Sequence, residues 1–417
     1  MKPIAILILL LLVSLDLFGQ SIYNLNRYEP EIIDGRAEAL GRTSILSSNG
    51  ANNVFNNPAL LSELKSIDLQ FNIRATFGNV NKLHTATDTT SIVDHYSDTD
   101  YKRTIHPKIN GLSFGIPYQI SPKSAWRFGF AAGYRAYYDW GYDIHEKRKE
   151  VFSDEITNEE GDNEFNGGFN TLVFGGGINY KKKFYAGVSI SIPFNSQHSN
   201  IYEDFDGNKA KNSGTASGTF YTISGSYILS NYVTIGTRVK TEYKLEIDGS
   251  DDQFNITYNY KYTIPAEYGL ALEVKPIIDL KIITEYITRN FADYDDLYYF
   301  NPESENGYSF RTGFEYGTNK IFRVGFFTQS VPVYTYSSYY DEVLDDYVFD
   351  LDDKPQTETG FTTGFGTKIN SKIQINLFGS YSFLNYDEKY NFVADTDITN
   401  EVSYSLFKFG CSLGYSF

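Results

Sequence analysis

The side chains best suited to metal binding or nucleophilic chemistry are scattered through this 417-residue sequence. Its five histidines form neither an i, i+4 pair nor an HExxH motif, the spacings that bring two imidazoles to one zinc ion; they are His84, His95, His106, His145 and His198. The single cysteine, Cys411, falls on the apolar face of an alternating segment, and no GxSxG elbow is present. We therefore expect no enzyme activity, no catalytic residue, no metal site and no cofactor.

Acidic side chains are concentrated in two segments of the chain. The members are Asp341, Glu342, Asp345, Asp346, Asp350, Asp352 and Asp353 in one segment, and Asp293, Asp295, Asp296, Glu303 and Glu305 in the other. Oxygen-rich loops can bind calcium, but neither segment has the EF-hand register, so a solvated charge run is the simpler interpretation. Bridging through divalent cations to lipopolysaccharide phosphates stays open. The net charge of −16 argues against nucleic acid as a partner.

The amino-terminal residues indicate export from the cytoplasm. Residues 1–20 contain Lys2, an apolar run from Ile4 to Val13, and small or polar residues near Gly19, which together predict a secretory signal peptide. The run is too short to span a bilayer comfortably, and no other stretch approaches about 18 uninterrupted apolar residues. We therefore expect a mature chain that has no transmembrane helix.

The carboxyl-terminal residues alternate strictly between apolar and polar side chains. The apolar positions are Phe407, Phe409, Cys411, Leu413, Tyr415 and Phe417. A period of two with one apolar face predicts a β-strand. A terminal Phe with aromatic residues at alternate positions before it resembles the signal that the barrel assembly machinery reads on outer-membrane barrels. Phe417 is therefore expected to engage that machinery.

The same alternation recurs along the whole chain, which is rich in Tyr (36) and Phe (32). Alternating segments begin near residues 66, 109, 124, 167, 183, 214, 232, 263, 277, 307, 320, 358, 372 and 402. Long links alternate with tight turns such as YKKKF and INSK, and both termini lie on the tight-turn side. This arrangement predicts an all-β fold, a 14-stranded antiparallel transmembrane β-barrel. Alternation alone would also suit a β-sandwich, whose apolar faces meet a second sheet.

Some apolar side chains fall on the face of the strands that should line the lumen. They are Phe220, Ile228, Ile283, Ile287, Phe327, Phe378 and Leu384. A register slip at a bulge would explain part of this set, because a shift of one residue exchanges the two faces. The alternative is an apolar lumen surface that binds an inserted plug or a hydrophobic ligand. The same register predicts Arg238, Lys240 and Lys244 in the lumen, and Tyr243 and Leu245 on the lipid face.

A short helical signal lies ahead of the first strand, where residues 56–64 read NNPALLSEL. Asn57 is a favoured N-cap acceptor and Pro58 suits the first helical position, so a helical turn is expected from Ala59 onward. The residues that would share its apolar face are Leu60, Leu61 and Leu64. Side chains alone would not fill a barrel of about fourteen strands, so these leucines are expected to bury against the lumen wall.

Together these features resemble the FadL-type outer-membrane transporters of long-chain fatty acids and other hydrophobic compounds. The resemblance rests on the leader, on GRAEALGRTSILSSNGANNVF followed by the NPA motif (Asn57, Pro58, Ala59), on fourteen strands and on the terminal Phe. The segments 264–276 and 307–327 also look like later strands of that family. It implies a signal peptide at residues 1–20, a partly helical plug or hatch at 21–65 and a barrel at 66–417 in a Gram-negative outer membrane.

The resemblance also implies passive uptake of hydrophobic small molecules with lateral release. Release would use a kink in the third strand, roughly residues 124–138, where Gly129 and Gly133 are the expected positions. The expected ligand-binding residues are Phe220, Ile283, Ile287, Phe327, Phe378, Arg238 and Lys240. Binding would bury apolar area at about 25 cal/mol per Å2, and a lumen cation would pair with a carboxylate head group.

Partner expectations follow from the same resemblance. They are a hydrophobic small-molecule ligand, outer-membrane lipid, lipopolysaccharide and the barrel assembly machinery. The family also contains the PorV-type barrels of the type IX secretion system. A scaffold or shuttle that holds partner proteins is therefore the alternative function.

Overall fold

The computed structural model describes most of the chain after the leader. The described residues are 32–88, 94–104, 108–121, 123–139, 142–152, 155–203, 209–251, 256–290, 306–331, 336–341, 346–351, 355–393 and 396–417. The expected signal peptide, residues 1–20, and the first part of the expected plug, residues 21–31, lie outside this set. Within it, no helix is both long enough and apolar enough to cross a bilayer.

The strand segments are numbered here in chain order. The first eleven are β1 (Asp68–Asp88), β2 (Asp94–Thr104), β3 (Lys108–Tyr118), β4 (Trp126–Asp139), β5 (Tyr142–Phe152), β6 (Glu155–Tyr180), β7 (Phe184–Pro193), β8 (Gln197–Glu203), β9 (Lys209–Ser217), β10 (Phe220–Ile228) and β11 (Val233–Lys240). The others are β12 (Tyr243–Asp251), β13 (Ile256–Ile264), β14 (Glu267–Ile277), β15 (Leu280–Arg289), β16 (Gly307–Tyr316), β17 (Lys320–Val331), β18 (Tyr336–Asp341), β19 (Asp346–Leu351), β20 (Gln356–Lys368), β21 (Ile373–Val393) and β22 (Thr396–Ser416).

These segments form a closed antiparallel barrel. Twenty of them join one sheet, while β18 and β19 pair separately. Six barrel strands each consist of two successive segments, namely β2 with β3, β4 with β5, β7 with β8, β9 with β10, β11 with β12 and β13 with β14, so the barrel has fourteen strands. It closes where β1 pairs with β22, from Asp68 opposite Ser416 to Asp88 opposite Thr396. The predicted 14-stranded barrel is confirmed.

The two faces of the wall follow the period-two pattern of the sequence. In β1 the side chains of Asp68, Gln70 and Asn72 are buried inside, while Leu69 is exposed outside. Exposed apolar side chains cover the outer surface of the other strands in the same way, among them Phe114, Phe130, Phe174, Val188, Ile223, Leu270, Tyr286, Phe314 and Leu413. An apolar outside and a polar inside are the arrangement that a surrounding bilayer favours.

Most of the links expected to be long loops are largely strand where the structure describes them, and the first two are examples. β1 continues to Asp88 and is followed by β2, and β6 begins at Glu155 instead of near residue 167. The sequence from His95 to Arg103 carries no apolar alternation. A strand without an apolar face has no period-two signal, so the sequence pattern could not reveal it.

Residues 32–64, called the inner segment here, lie inside the barrel. They contain an α-helix at Gly35–Ala39, a 3-10 helix at Gly50–Asn52, an α-helix at Asn53–Asn56 and a 3-10 helix at Pro58–Glu63. Leu40, Ala51, Val54, Ala59 and Leu61 are fully buried. The barrel wall supplies the surface that this short helical segment could not provide for itself.

The expected helical turn forms, but its cap and its apolar face differ from the prediction. Asn57 makes no capping hydrogen bond; its Nδ2 instead donates to the carbonyl of Ile45 at 2.5 Å. Leu61 and Leu64 pack in one cluster of apolar side chains, whereas Leu60 packs in another. The 3-10 helix has three residues per turn, so positions 61 and 64 share a side and position 60 does not.

The predicted faces are wrong in β12, the segment that follows residue 240. Arg238 and Lys240 point inward as expected, but Tyr243 and Leu245 are also buried inside, and Lys244 is exposed outside. Two residues separate β11 from β12, and the break shifts the inward positions from even to odd numbers. A single interruption of this kind exchanges the faces of every later residue in the strand.

Candidate functional site

The inner segment packs directly on the backbone of the barrel wall. At twelve wall glycines, an added Cβ atom would lie within about 3.1 Å of an inner-segment atom; they are Gly111, Gly115, Gly129, Gly133, Gly175, Gly177, Gly187, Gly236, Gly269, Gly313, Gly325 and Gly364. These positions come from strands all round the barrel. Glycine, which has no Cβ atom, lets the inner segment approach the wall backbone this closely. The inner segment therefore has wall contacts on every side at this level.

Gly129 and Gly133 belong to this set of contacts. A Cβ atom at Gly129 would overlap the carbonyl of Leu61, and one at Gly133 would lie 2.5 Å from the Phe55 ring. Pairing of β4 with β6 is regular at both positions, and the register shift lies between Ala136 and Tyr138. The strand is therefore not interrupted at the two glycines, where the kink was expected. The glycines instead allow close packing of the inner segment.

Ionic contacts join the inner segment to one side of the wall. The carboxylate of Glu315 on β16 accepts from Arg36 Nε at 2.7 Å and from Arg323 Nε at 2.8 Å, and Lys281 Nζ lies 3.3 Å from it. Asp34 accepts from the backbone N–H groups of Arg36 and Asn49 at 2.8 and 2.7 Å, which caps the helix Gly35–Ala39. Burial raises the pKa of Asp34 above its usual value, against the effect of these two hydrogen bonds.

Glu285 on β15 holds the turn at Ser44 in the inner segment. Its Oε2 accepts from the backbone N–H groups of Ser44 and Ile45, both at 2.8 Å. Arg311 Nη1 lies 3.7 Å from the same carboxylate, and Arg238 Nη1 donates to Ser44 Oγ at 2.7 Å. Charge-assisted hydrogen bonds are about twice as strong as neutral ones, so this fully buried carboxylate is a main anchor of the turn.

Replacing Glu285 by glutamine is expected to loosen this turn. An amide oxygen accepts more weakly than a carboxylate and removes the negative charge that Arg311 faces at 3.7 Å, a loss of about 1–3 kcal/mol. Amide hydrogen exchange at Ser44 and Ile45 should accelerate accordingly. Glu246→Gln is the matched control, because Glu246 pairs with Lys261 on an exposed part of the wall. Unchanged exchange in Glu285→Gln would contradict the anchoring role.

An aromatic cluster lies in the lumen on the loop side of the inner segment. Its members are Tyr137, Tyr138, Phe169, Phe220 and Tyr243, with Ala216, Leu245 and Ile264 around them, and all eight are buried. The Phe220 and Tyr243 rings stack at 4.8 Å, and the Tyr137 ring lies 4.7 Å from Phe220. The hydroxyls of Tyr138 and Tyr243 are 2.9 Å apart and form a hydrogen bond. The cluster is thus a wide apolar surface with a small polar centre.

Buried cations lie between the aromatic cluster and the inner segment. Glu267 is within 2.5 Å of Arg238, 2.8 Å of Arg289 and 3.5 Å of Lys240. Arg135 lies over the Tyr137 ring at 4.5 Å, and Lys240 Nζ lies 5.7 Å from the same ring. Three cations thus share one carboxylate, and Arg135 adds a fourth positive charge nearby. Buried charge of one sign favours an added group of the other sign.

The residues predicted to bind ligand divide into two groups. All seven point inward, but only Phe220, Arg238 and Lys240 lie in or beside the aromatic cluster. Of the other four, Ile283 belongs to a cluster with Leu40 and Ile45, and Ile287 lies beside Gly269, where Ile45 packs. Phe327 lies under Arg42, and Phe378 packs at Gly35. The prediction that a side chain faces inward therefore did not show whether it lies beside the proposed ligand site or against the inner segment.

Sequence reasoning missed four of the five aromatic residues of the cluster. Tyr137 and Tyr138 are adjacent in sequence, yet both are buried, because the bulge after Ala136 turns two consecutive side chains inward. Tyr243 was assigned to the wrong face, and Phe169 lies next to the positive-φ residues Gly167 and Gly168. Paired glycines before an aromatic residue, and two aromatic residues together in one strand, were the available signals.

Hydrogen bonding of the wall is interrupted beside the cluster. Between the sixth and seventh barrel strands, the described ladder stops at Thr222 opposite Lys240 and resumes at Ser217 opposite Glu246. Residues 218–220 and 242–245 lie between these two stretches. The stack of Phe220 on Tyr243 covers this interval from inside. An aromatic pair thus covers a break in this ladder.

Solved structures with the same fold include several transporters. A Pseudomonas aeruginosa FadL homologue matches with a TM-score of 0.58 at 10% identity, covering 94% of this chain and 100% of its own. The Pseudomonas putida toluene transporter TodX matches with a TM-score of 0.55 at 13% identity, over 94% and 100%. The Ralstonia pickettii toluene transporter TbuX matches with 0.51 at 12%, over 95% and 100%. At these identities the likeness establishes the fold, a FadL-like barrel.

Comparisons of the sequence itself return no relative. No protein-family model matches the chain, and no curated protein matches it. The three structural matches above are named for FadL or for toluene transport, and they lend no support to a secretion scaffold of the PorV type.

Proposed function

We propose that this protein is an outer-membrane barrel for the passive uptake of hydrophobic small molecules. The observation that carries the proposal is the aromatic cluster, which offers buried rings next to buried cations. Removing apolar ligand surface from water contributes about 25 cal/mol per Å2, and aromatic rings add geometric preference. The toluene transport named for two proteins of the same fold agrees with such a ligand.

The preferred ligand has an apolar, ring-sized body and one acidic group. Its body would lie among Tyr137, Phe220 and Tyr243, and its carboxylate would reach Lys240 or Arg135. Lys240 is the best candidate for this contact, because its distance of 3.5 Å from Glu267 leaves its ammonium group the least engaged of the three cations around that carboxylate.

The ligand would leave the barrel sideways. The inner segment closes the route toward the tight-turn end, because its backbone and side chains pack on glycines from many strands of the wall. The interval between β9–β10 and β11–β12 is the proposed exit, since only side chains cover it there. The exit first expected at Gly129 and Gly133 is occupied by Leu61 and Phe55.

The proposed orientation places the tight turns in the periplasm. Short periplasmic turns and longer outer extensions are typical of bacterial outer-membrane barrels. The exposed apolar side chains would then contact lipid, and the acidic loops would lie near lipopolysaccharide. Phe417, at the end of the closing strand, would be read by the assembly machinery.

Replacing Lys240 by methionine is expected to weaken binding of the ligand's acidic group without weakening binding of its apolar body. Affinity of the purified barrel for naphthalene-2-carboxylate should fall at least tenfold, because a contact with a charged group contributes about 1.5–3 kcal/mol. Affinity for 2-methylnaphthalene should stay within a factor of two. Both affinities can be measured from the fluorescence of the naphthalene ring.

Lys244→Met is the matched control for this experiment, because Lys244 lies four residues away on the outer face. Equal losses for both probes in Lys240→Met, or the same loss in Lys244→Met, would contradict the assigned head-group contact. Failure of the unmodified barrel to bind either probe would contradict the proposed function itself.

A further inference from the structure

A cavity of about 700 Å3 opens at the tight-turn end of the barrel, on the far side of the inner segment from the aromatic cluster. The inner segment forms its roof through Asn49, Gly50, Asn53, Leu60 and Leu64. The ends of several wall strands form its sides. This space, called the basin here, is distinct from the proposed ligand route because the inner segment separates the two.

The basin is lined by an excess of positive charge. Its cations are Arg36, Lys65, Lys275, Lys281, Lys368 and Lys372, and its acids are Glu63, Asp68 and Glu273. Three of these lysines, Lys65, Lys368 and Lys372, are exposed and have no acidic partner among the described residues. The whole chain carries a net charge of −16, so this basic lining is opposite in sign to the rest of the molecule.

The remaining cations of the basin are only partly neutralised. Lys275 pairs with Glu273 at 2.8 Å, and Lys281 shares Glu315 with Arg36 and Arg323. The side chains of Lys275 and Lys281 keep 36% and 34% of their surface exposed, so their ammonium groups remain open to a second anion. The basin thus presents five lysines that come from three separate parts of the chain.

This spread of charge favours a ligand that carries several acidic groups. A single small anion would contact one or two exposed ammonium groups and gain little in water. Several carboxylates joined in one chain bind together, since each contact after the first is intramolecular. Lipid head groups of the bilayer lie outside the wall, whereas the basin lies within its mouth. An extended acidic peptide carries several linked carboxylates and can enter the mouth of the barrel.

We infer that the basin is a docking site for an acidic segment of a periplasmic protein. Such a segment would lie against the roof formed by Asn49 and Asn53 and would thereby contact the inner segment directly. Its carboxylates would pair with Lys65, Lys368 and Lys372. Docking here would connect a partner in the periplasm to the element that closes the barrel.

The test is binding of a fluorescent hexaglutamate peptide to the purified full-length barrel in detergent, measured by anisotropy at low salt. The variant that reverses Lys65, Lys368 and Lys372 to glutamate should bind at least tenfold more weakly. The control variant reverses Lys181, Lys182 and Lys183, three exposed lysines in a turn at the same end of the barrel that do not line the basin. Its charge change is identical, and its affinity should stay within a factor of three.

Equal losses in the two variants would overturn the inference, because they would show attraction to net charge instead of a site. Absence of binding to the unmodified barrel would also overturn it. Heat-dependent migration on gels reports folding, and replacement of the three basin lysines by glutamine provides a milder variant if reversal prevents folding. A photoreactive group on the peptide should label residues 49–66 or 368–374, and labelling elsewhere would reject the site.

Discussion

Replacing Gly129 by alanine is expected to displace the inner segment and to open the barrel to ions. The added Cβ atom would overlap the Leu61 carbonyl, which is backbone and cannot rotate away. Overpacking of this kind costs about 1–3 kcal/mol, which would raise the fraction of displaced segments by roughly 5- to 150-fold. Single-channel conductance in planar bilayers should show frequent large openings that the unmodified protein lacks.

Gly379→Ala is the matched control for this prediction. Gly379 also lies in a barrel strand, but the atom nearest to an added Cβ is 3.9 Å away, which is ordinary contact. Its conductance should equal that of the unmodified barrel. If Gly129→Ala showed no additional openings, the inner segment would have room to adapt to the added methyl group. Its close packing on the wall could then not explain how the barrel stays closed.

Replacing Phe220 by alanine is expected to raise the uptake of 2-methylnaphthalene at least tenfold. The Phe220 ring closes the interval in the wall from inside, so a passing ligand must displace it. Truncation of a buried Phe costs the protein about 3–5 kcal/mol of stability, and the apolar space it leaves can accept a ring-sized molecule. Uptake should be measured in vesicles with purified barrel, beside thermal unfolding of the same samples.

Phe184→Ala provides the comparison, because Phe184 stacks on Tyr227 at 4.6 Å but faces outward. The two variants remove the same ring from an aromatic stack, and only the inward one should change uptake. A fall in uptake with Phe220→Ala would show that the loss of ligand contact at this ring outweighs any opening of the exit, and would contradict its role as the closing group. Equal effects of both variants would reject the proposed position of the exit.

Much of the barrel could be predicted because membrane strands carry their own face pattern. The alternation around Phe409 and around Leu69 places each residue inside or outside without knowledge of its neighbours. Tight turns and long links then give the strand count and the end at which both termini lie. Prediction failed where the pattern was interrupted, as between Lys240 and Tyr243, since one extra residue exchanges the faces.

The sequence by itself also determined that a short helical turn would follow Asn57, because Pro58 is well suited to the start of a helix. It did not determine what the side chain of Asn57 would bind. That contact lies with the Ile45 carbonyl, which the fold of the inner segment brings near.

The candidate site depended on tertiary structure for a further reason. Arg36 and Glu315 form an ion pair although 279 positions separate them in the chain, and no spacing rule relates residues so far apart. Gly129 has the same local pattern as many strand glycines, and only the packed inner segment shows that its missing Cβ makes room for Leu61. The alternation of apolar and polar residues therefore determined the strands and, up to each interruption of that alternation, the face on which each residue lies. Closure of the barrel around residues 32–64 decided which side chains meet, because those contacts join parts of the chain that carry no information about one another in sequence.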